Sequence, residues 1–391
     1  MKYIFVLALI VLFPAASLAK RDSDINVMTQ NQYLGADLTA VVAAPDPFAF
    51  NFSIIMALQD IASNRTPERI QALARSISDK QPHLVGLQEM FSFGCNDLGS
   101  GACSLFAPAF SDHLALTMAE LGGRYEVAAE VDNLTLPPAG FPFPGLPVFL
   151  DPDGVPDIFV TVLDRDVILS RSDVDASPVA FPCTKPSVDG CNYQVVASVE
   201  DTPVGDISIE RGFVGVSTQI GGDDYLFVNT HLEVQNPDPS EPMSALIQAS
   251  QATQLIGTLS SFVSPATRIL VVGDINSSPD DPLFPDPNAG PIHPPYVQLE
   301  NGTDLFGTAI SPLSYSDVWF LRNGRDAGFT CCQLSDLSNP TTLHDERIDV
   351  IFSIPSPSRV KANVLGDEPS DRTASDLWPS DHSSVSGELE F

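Results

Sequence analysis

The chain has 391 residues, of which 43% are hydrophobic and 18% are charged, and this composition excludes an intrinsically disordered protein. The net charge is −31 and only five residues are lysine. Strong non-specific binding of DNA or RNA depends on Lys and Arg neutralising phosphates, so it is not expected here.

The first 19 residues have the three parts of a secretory signal peptide. Lys2 supplies the positive start, residues 3–13 form the apolar core, and Ser17-Leu18-Ala19 is a small-x-small cleavage site. The apolar run is too short for a comfortable membrane span. The sequence therefore predicts a secreted or periplasmic protein that is cleaved near Ala19. Residues 20–391 are predicted to form a single domain, and the protein is expected to be a monomer.

The first half of the mature chain begins with an alternation of strand and helix patterns. Strands are predicted at 24–31 and 83–90, and helices at 66–80 and 110–122. Thr66 is predicted as the N-cap of the first helix because Pro67 then takes the first helical position. Gly122 is predicted to end the second helix.

Many short β-type runs follow and indicate hairpins and antiparallel pairing. They lie at 124–131, 157–163, 164–170, 193–200, 206–210, 211–220 and 225–233. A long helix is predicted at 243–262, a strand at 268–276, and further strands at 315–320, 347–354 and 384–391. This order predicts one domain of mixed α/β type, with two β-rich halves and helices outside them.

Export predicts that cysteines pair locally. Cys95 and Cys103 bracket a Gly-rich turn, and Cys183 and Cys191 bracket another short loop, so each pair suits a disulfide. Cys331 and Cys332 are adjacent and could form a vicinal disulfide or remain thiols.

Residues 134–150 are uncharged and rich in Pro and Phe. Proline disfavours regular strand pairing, so a protruding loop is predicted, which could bring apolar side chains to a membrane surface. Those side chains are Phe141, Phe143, Leu146, Val148 and Phe149. The alternative is a packed Pro-rich loop.

An acid and an amide, Asp274 and Asn276, end the apolar run "ILVVG". Alternation along an extended chain predicts that both side chains point the same way, out of the end of a sheet. An Asx turn is the simpler explanation for this pair alone.

Similar polar residues end or interrupt several other apolar strands, which makes the set harder to explain as turns. The full set is Asn31, Glu89, His231, Glu233, Asp274, Asn276, Asp349, Asp381 and His382. Functional sites are commonly built where strands open into loops.

The motifs around these residues resemble the endonuclease/exonuclease/phosphatase family, which includes deoxyribonucleases, apurinic endonucleases, inositol polyphosphate 5-phosphatases and bacterial neutral sphingomyelinases. The matching pieces are Asn31, "LQE" at 87–89, "NTHLE" at 229–233, "GDIN" at 273–276, "RID" at 347–349 and "SDH" at 380–382. They occur in the family's order over about residues 25 to 391. The resemblance implies a four-layer α/β sandwich, in which two packed mixed β-sheets are flanked by helices.

The resemblance also implies a metal site and its ligands. Glu89 resembles the principal ligand, with Asn31 nearby and Asp381 as a third group. Carboxylate and amide oxygens suit Mg²⁺, which is the implied cofactor, with Mn²⁺ or Ca²⁺ as alternatives.

The remaining matched residues imply the chemistry of a phosphate ester. Asp274 resembles the residue that orients or deprotonates the attacking water, and Asn276 would hold the phosphate or that aspartate. His231 and His382 would face the phosphoryl oxygens. Two further residues are implied in supporting roles: Asp349 as the partner that orients His382, and Arg211 as a phosphate contact. A salt bridge of Asp349 with Arg347 or Arg325 is the alternative for that aspartate.

One position departs from the family pattern. Tyr33 stands where apurinic endonucleases carry an aspartate, which disfavours repair of abasic sites. The sequence therefore predicts a secreted Mg²⁺-dependent phosphodiesterase, with a phospholipid or sphingomyelin as the favoured substrate. The alternatives are an extracellular endonuclease, a catalytically inactive binding protein on the same fold, and a structural secreted protein.

Overall fold

The computed structural model describes residues 24–200, 202, 205–235, 242–286, 290–312, 314–322, 324 and 326–391. The predicted signal peptide, residues 1–19, lies outside the described residues. No helix among the described residues is both long and apolar enough to cross a membrane.

Twenty strands account for most of the regular structure of the described residues. In chain order they are β1 (Asp24–Asn31), β2 (Leu84–Gln88), β3 (Ser92–Asn96), β4 (Tyr125–Leu136), β5 (Leu146–Val148), β6 (Ile158–Arg171), β7 (Ala176–Pro178), β8 (Pro186–Ser187), β9 (Gly190–Asn192), β10 (Ala197–Val199), β11 (Ile207–Ile209), β12 (Gly212–Ile220), β13 (Asp223–His231), β14 (Thr267–Asp274), β15 (Phe284–Asp286), β16 (Gly290–Ile292), β17 (Ser316–Asp317), β18 (Asp349–Ile354), β19 (Arg359–Leu365) and β20 (Ser384–Glu390).

Seven α-helices lie between the strands of the described chain. They are α1 (Thr39–Val42), α2 (Pro47–Ser63), α3 (Thr66–Lys80), α4 (His113–Leu121), α5 (Pro242–Leu259), α6 (Pro295–Asn301) and α7 (Val318–Leu321). Short 3₁₀ segments lie at Ala102–Ala109, Ser260–Phe262 and Pro369–Asp371.

The strands form two large mixed sheets of eight strands each. The first sheet has the order β19-β20-β1-β2-β6-β3, with β4 and β5 also pairing with β6. The second has the order β17-β18-β14-β13-β12-β9-β8, with β7 pairing with β12. Hairpins β10–β11 and β15–β16 stand apart as two-stranded sheets.

The two large sheets pack face to face, with helices on their outer faces. Ile25 and Leu84 of the first sheet share one buried cluster with Phe227 and Leu270 of the second. Helix α3 packs its buried face on the outside of the first sheet, and α5 packs on the outside of the second. This helix–sheet–sheet–helix layering confirms the predicted four-layer α/β sandwich.

The strand directions bring the polar strand ends to one edge of the sandwich. Strands β1 and β2 are parallel, as are β13 and β14, so their carboxyl ends meet there. Strand β18 is antiparallel to β14 and β20 is antiparallel to β1, so both begin at the same edge. The amino end of β12 also lies there, because β12 runs antiparallel to β13.

Several local predictions were wrong at the level of single elements. Thr66 is the first residue of α3 and the cap position belongs to Arg65. The strand predicted at 315–320 is a two-residue strand, β17, that turns into α7. Helix α2 was not predicted.

The uncharged segment at 134–150 is largely packed, which contradicts the predicted protruding loop. Leu146 and Val148 are buried in strand β5, which pairs with β6. Phe143 stacks on Phe159, although about half of its surface, 49%, stays exposed. Proline did not prevent pairing because β5 needs only three residues to join the sheet.

The two predicted local disulfides are confirmed. Cys95 is bonded to Cys103 and Cys183 to Cys191, and each bond closes a short loop. The adjacent Cys331 and Cys332 have their sulfur atoms in contact. Disulfides of this kind are compatible with an oxidising extracellular or periplasmic compartment.

Candidate active site

Asp274 lies at the centre of the polar cluster at the sandwich edge. Its side chain is buried, and its Oδ2 lies 3.1 Å from Asn31 Nδ2, 3.5 Å from His231 Nε2 and 3.7 Å from His382 Nε2. Its Oδ1 accepts a hydrogen bond of 2.9 Å from the backbone N–H of Asn276. Burial raises the pKa of the Asp274 carboxyl to about 7, against the lowering effect of His382.

Strand pairing explains why Asp274 meets its neighbours. Asp274 lies opposite His231 on β13 and opposite Asp349 on β18. The preceding residue, Gly273, has φ of +143°, and a Cβ there would lie 1.8 Å from the carbonyl oxygen of Thr230. Glycine thus lets the two strands approach closely at the point where the site begins.

The two histidines of the site differ in protonation. The guanidinium of Arg211 donates to Nδ1 of His231 at 3.1 Å, so the ring must carry its proton on Nε2. Burial, with Arg211 and His382 acting in the same direction, lowers the pKa of His231 well below its usual value. His231 is therefore a neutral ring whose Nε2–H points toward Asp274.

His382 is instead held as a cation. Its Nδ1 lies 2.8 Å from Asp349 Oδ2. Burial acts to lower the pKa of His382, but the carboxylates of Asp349, Asp274 and Asp381 outweigh it and raise this pKa well above its usual value. Asp349 thus occupies the position that was predicted for it. Arg347 pairs with Asp317 at 2.6 Å rather than with Asp349, and Arg325 lies outside the described residues.

Glu89 and Asn31 are joined at the ends of the parallel strands β2 and β1. Asn31 Nδ2 donates to Glu89 Oε1 at 3.1 Å, and the backbone N–H of Leu34 donates to Glu89 Oε2 at 2.8 Å. The side-chain oxygen of Asn31 accepts from the backbone N–H of Tyr33 at 2.9 Å. Asn31 therefore reaches its neighbours through its NH₂ group and bridges the carboxylates of Glu89 and Asp274.

Left-handed backbone conformations follow three of these strands. Tyr33, Glu89 and Asn276 have φ values of 57°, 56° and 48°. Such values are uncommon for residues other than glycine and cluster at functional sites, where the surrounding structure holds them in place. Each of these residues turns the chain at the edge where the site lies.

The positive φ of Asn276 overturns the alternation argument for Asp274 and Asn276. Strand β14 ends at Asp274, so the chain is no longer extended two residues later. The Asn276 side chain donates to the backbone carbonyl of Leu232 at 2.9 Å, and its backbone N–H holds Asp274. Asn276 positions Asp274 and ties the β14 end to the β13 end.

The donor chemistry of the site fits a divalent cation. Burial raises the pKa of Asp381 to about 6, with repulsion from Glu89 acting in the same direction and His382 acting against both. The ligand atoms of Asp274, Asp349 and His382 also lie within 4.8 Å of one another. A bound cation relieves the repulsion among buried carboxylates, and oxygen ligands suit Mg²⁺. Glu89 lies next to Asp274 through the shared Asn31 side chain, and repulsion between Glu89 and Asp381 places a second carboxylate near it.

Two supporting residues escaped the sequence analysis. Asn229 lies between the sheets and donates to the carbonyl oxygens of Leu87 and Val167, while accepting from Gln88. The buried Arg69 donates to four backbone carbonyl oxygens, those of Gln32, Tyr33, Asn64 and Pro379. Asn229 thus joins the two sheets by hydrogen bonds below the site. Arg69 holds in place the loops next to Asn31 and Asp381.

Strand β6 carries two buried acids, Asp164 and Asp166, which lie near the side chain of Arg211. Asp164 Oδ2 is 3.8 Å from the Arg211 guanidinium, and burial raises the pKa of Asp164 to about 7. Both carboxylate oxygens of Asp166 lack a hydrogen-bond partner within the described chain. Burial and the repulsion of Asp164 raise the pKa of Asp166 well above its usual value.

Solved structures of other proteins show similarity over most of the chain. TDP2 from Caenorhabditis elegans is 13% identical over 94% of this chain and 74% of that chain, with a TM-score of 0.47. A mannosyl-6-phosphatase from Bacteroides thetaiotaomicron is 14% identical over 94% of this chain and 100% of that chain, with a TM-score of 0.47.

An endonuclease/exonuclease/phosphatase from Beutenbergia cavernae is 18% identical over 94% of this chain and 72% of that chain, with a TM-score of 0.45. It is named for the family that the sequence motifs resemble. No family model matches the chain, and no curated protein matches its sequence. Structural similarity at this level does not indicate which reaction the protein catalyses. The function proposed below therefore rests on the sequence motifs and the site geometry.

Proposed function

We propose that the protein is a secreted phosphodiesterase of the endonuclease/exonuclease/phosphatase type, dependent on Mg²⁺ or a similar divalent cation. The observation that carries this proposal is the environment of Asp274. A buried carboxyl with a pKa of about 7 lies within 4 Å of a neutral histidine and a cationic one. A general base works best when its pKa lies near the working pH.

Hydrolysis would begin with a water molecule held at Asp274. The water oxygen forms a bond to phosphorus while its proton passes to the Asp274 carboxylate. The P–O bond to the leaving alcohol breaks, and the leaving oxygen takes a proton from solvent. Asn276 supports the base because its backbone N–H fixes Oδ1 and leaves Oδ2 facing the histidines.

Charge on the phosphoryl oxygens would be stabilised by donors already held in place. The Nε2 atoms of His231 and His382 lie 3.5 Å and 3.7 Å from Asp274 Oδ2, so both rings could donate to a phosphate bound beside that carboxylate. Arg211 supplies a further positive charge from behind His231. Preorganised donors of this kind stabilise a transition state more than a ground state.

Glu89 and Asp381 would hold the divalent cation. When bound, Mg²⁺ neutralises charge on the phosphate and on the leaving oxygen. Asn31 then links the cation site to the base, because one NH₂ group donates to both Glu89 and Asp274.

Hydrolysis of bis(p-nitrophenyl) phosphate tests the proposed reaction. We expect p-nitrophenol release with Mg²⁺, no release with a chelator, and loss of release in Asp274→Asn. Asp280→Asn is the matched control, since Asp280 is an exposed aspartate six residues along the same loop. A wild-type protein that cleaves plasmid DNA but no small diester would favour the endonuclease alternative, and one that cleaves neither would favour the inactive binding protein.

A further inference from the structure

An apolar groove opens directly beside Glu89. It encloses about 640 Å³. One wall comes from the loop after β1 and from α1, through Leu34, Leu38 and Val42. The volume lies within the range of about 300–1,000 Å³ that is usual for small-molecule sites.

The opposite wall is the hairpin β10–β11, which is amphipathic. Val199 pairs with Ile207 across the hairpin, and Ile209 lies two residues further along the same face; all three line the groove. The alternate residues, Ser198 and Ser208, are exposed. Period-two alternation therefore directs the apolar face of this hairpin into the groove and its polar face to solvent.

The inner end of the groove is charged and belongs to the proposed catalytic site. Glu89, Arg211 and Glu233 line it there. Arg211 also donates to His231, whose Nε2 lies 3.5 Å from Asp274. The groove thus ends at Glu89 and Arg211, and Arg211 lies against His231 of the proposed catalytic site.

The chemistry of the groove restricts its occupant. A sugar or nucleoside would place hydroxyl and amide groups against Leu34, Val199 and Ile209, where these polar groups would lose their hydrogen bonds to water. A wholly apolar molecule would place no polar group against the charged inner end, where Arg211 and the cation proposed at Glu89 would bind a phosphate. A molecule with a phosphate at one end and an alkyl chain at the other satisfies both ends.

We propose that this groove binds the alkyl chain of an amphiphilic phosphate diester whose phosphate lies beside Asp274. This inference rests on the proposed function, since it assigns the substrate class of that site. This binding site differs from the membrane contact predicted at residues 141–149. The alkyl chain of the substrate would lie between Leu34 and the β10–β11 hairpin rather than at Phe143.

The chain-length dependence of hydrolysis tests the groove. The substrates are methyl, hexyl and decyl p-nitrophenyl phosphate diesters, each used below the concentration at which micelles form. Each methylene that leaves water should raise kcat/KM by up to about fourfold. With only part of the chain buried, we expect at least a 100-fold rise from the methyl to the decyl ester in the wild-type protein.

Polar substitutions in the hairpin should flatten this dependence. In the double variant Val199→Asn, Ile209→Asn, the decyl-to-methyl ratio of kcat/KM should fall to about one tenth of the wild-type ratio or less. The matched control is Val127→Asn, Val188→Asn, because both valines are exposed and line other parts of the surface. The ratio within each variant is independent of how much of the preparation is folded.

A binding measurement decides the inference without catalysis. Calorimetry should show that decyl phosphate binds the wild-type protein at least 100-fold more tightly than inorganic phosphate, and that the hairpin variant loses most of this difference. Equal binding of the two ligands, or a flat chain-length series in a protein that hydrolyses the methyl ester, would overturn the groove assignment. Loss of all hydrolysis with tight decyl phosphate binding would instead overturn the proposed function.

Discussion

The polar site at Asp274 and the apolar groove beside it are built in opposite ways. The polar site collects residues from the ends of six strands, and strand pairing sets their positions: His231 and Asp349 both lie opposite Asp274. The groove is built mainly from short pieces outside the two large sheets, namely α1, the loop after β1 and the β10–β11 hairpin, and Leu134 and Leu136 of β4 complete it. This difference suggests that the chemistry is fixed by the sandwich, whereas the choice of substrate depends on segments that the sandwich carries.

The largest effect is expected at the base. Asp274→Asn removes the proton acceptor and should lower kcat/KM by about 1,000-fold, within the range that general base catalysis supplies. The loss should be the same for methyl and decyl esters, because Asp274 acts on the phosphate and not on the chain. Steady-state kinetics on both esters gives the answer, with Asp280→Asn as control. A fall in kcat/KM for only one of the two esters would show that the polar site and the groove do not act independently.

The pair of His382 and Asp349 should act as one unit. His382→Ala should lower kcat by about 100-fold, and Asp349→Asn should lower it less, because Asp349 acts by holding the imidazolium through Nδ1. The double variant should be no more than about twofold worse than His382→Ala, since residues acting as a unit are not additive. Losses that simply multiply in kinetic measurements would remove Asp349 from the catalytic site.

Asp166 lies near the floor of the site but takes no part in the proposed chemistry. Its pKa is raised above the usual 3.8, so the folded state favours the protonated carboxyl. The stability that this proton contributes is present below about pH 4 and is lost as the pH rises through the folded-state pKa. We therefore expect Asp166→Asn to unfold at a higher temperature than the wild-type protein at pH 8.

The advantage of Asp166→Asn should shrink toward zero at pH 3, where the wild-type carboxyl is mostly protonated in both states. Calorimetry at the two pH values, in the presence of a chelator, measures this difference. Asp60→Asn is the control, because Asp60 is exposed on α2 and should show no such pH dependence. A variant that is destabilised at pH 8 but not at the lower pH would show that Asp166 is a structural anion.

The smallest effect is expected at Phe143, the half-exposed member of the segment at 141–149. Phe143→Ser should change the decyl-to-methyl ratio of kcat/KM by less than about twofold, because Phe143 packs on Phe159 and lies outside the groove. The same kinetic series used for the groove provides the measurement. A fall as large as that in the β10–β11 hairpin variant would place the chain-binding surface at this segment instead.

The sequence predicted the polar site better than the groove, for a physical reason. Polar residues at the ends of apolar strands stand out as a set, so Glu89 and Asp274 could be identified once the set and its family resemblance were considered together. Helix α2 could not, because Phe48 and Phe52 are exposed while Phe50 and Ile54 are buried, so apolar residues occur on both faces and hide the helical period.

Supporting residues were missed for a related reason. Arg69 lies in a charged helix, and nothing in the sequence separates it from the more exposed Arg75 one and a half turns later. Its burial depends on four carbonyl groups that only the folded loops bring together. Asn276 was misplaced because alternation assumes an extended chain, and its backbone turns at φ of 48°.

The central claim is that Glu89 holds a divalent cation on which phosphate ester hydrolysis depends. The most direct measurement is a Mg²⁺ titration of bis(p-nitrophenyl) phosphate hydrolysis by the wild-type protein, by Glu89→Gln and by Glu126→Gln, an exposed control on β4. We predict saturable activation of the wild-type and control proteins from a chelated baseline near zero. Glu89→Gln should need at least tenfold more Mg²⁺ and turn over at least 100-fold more slowly. Hydrolysis that proceeds in chelator, or a Glu89→Gln titration that overlays the wild-type curve, would contradict the account.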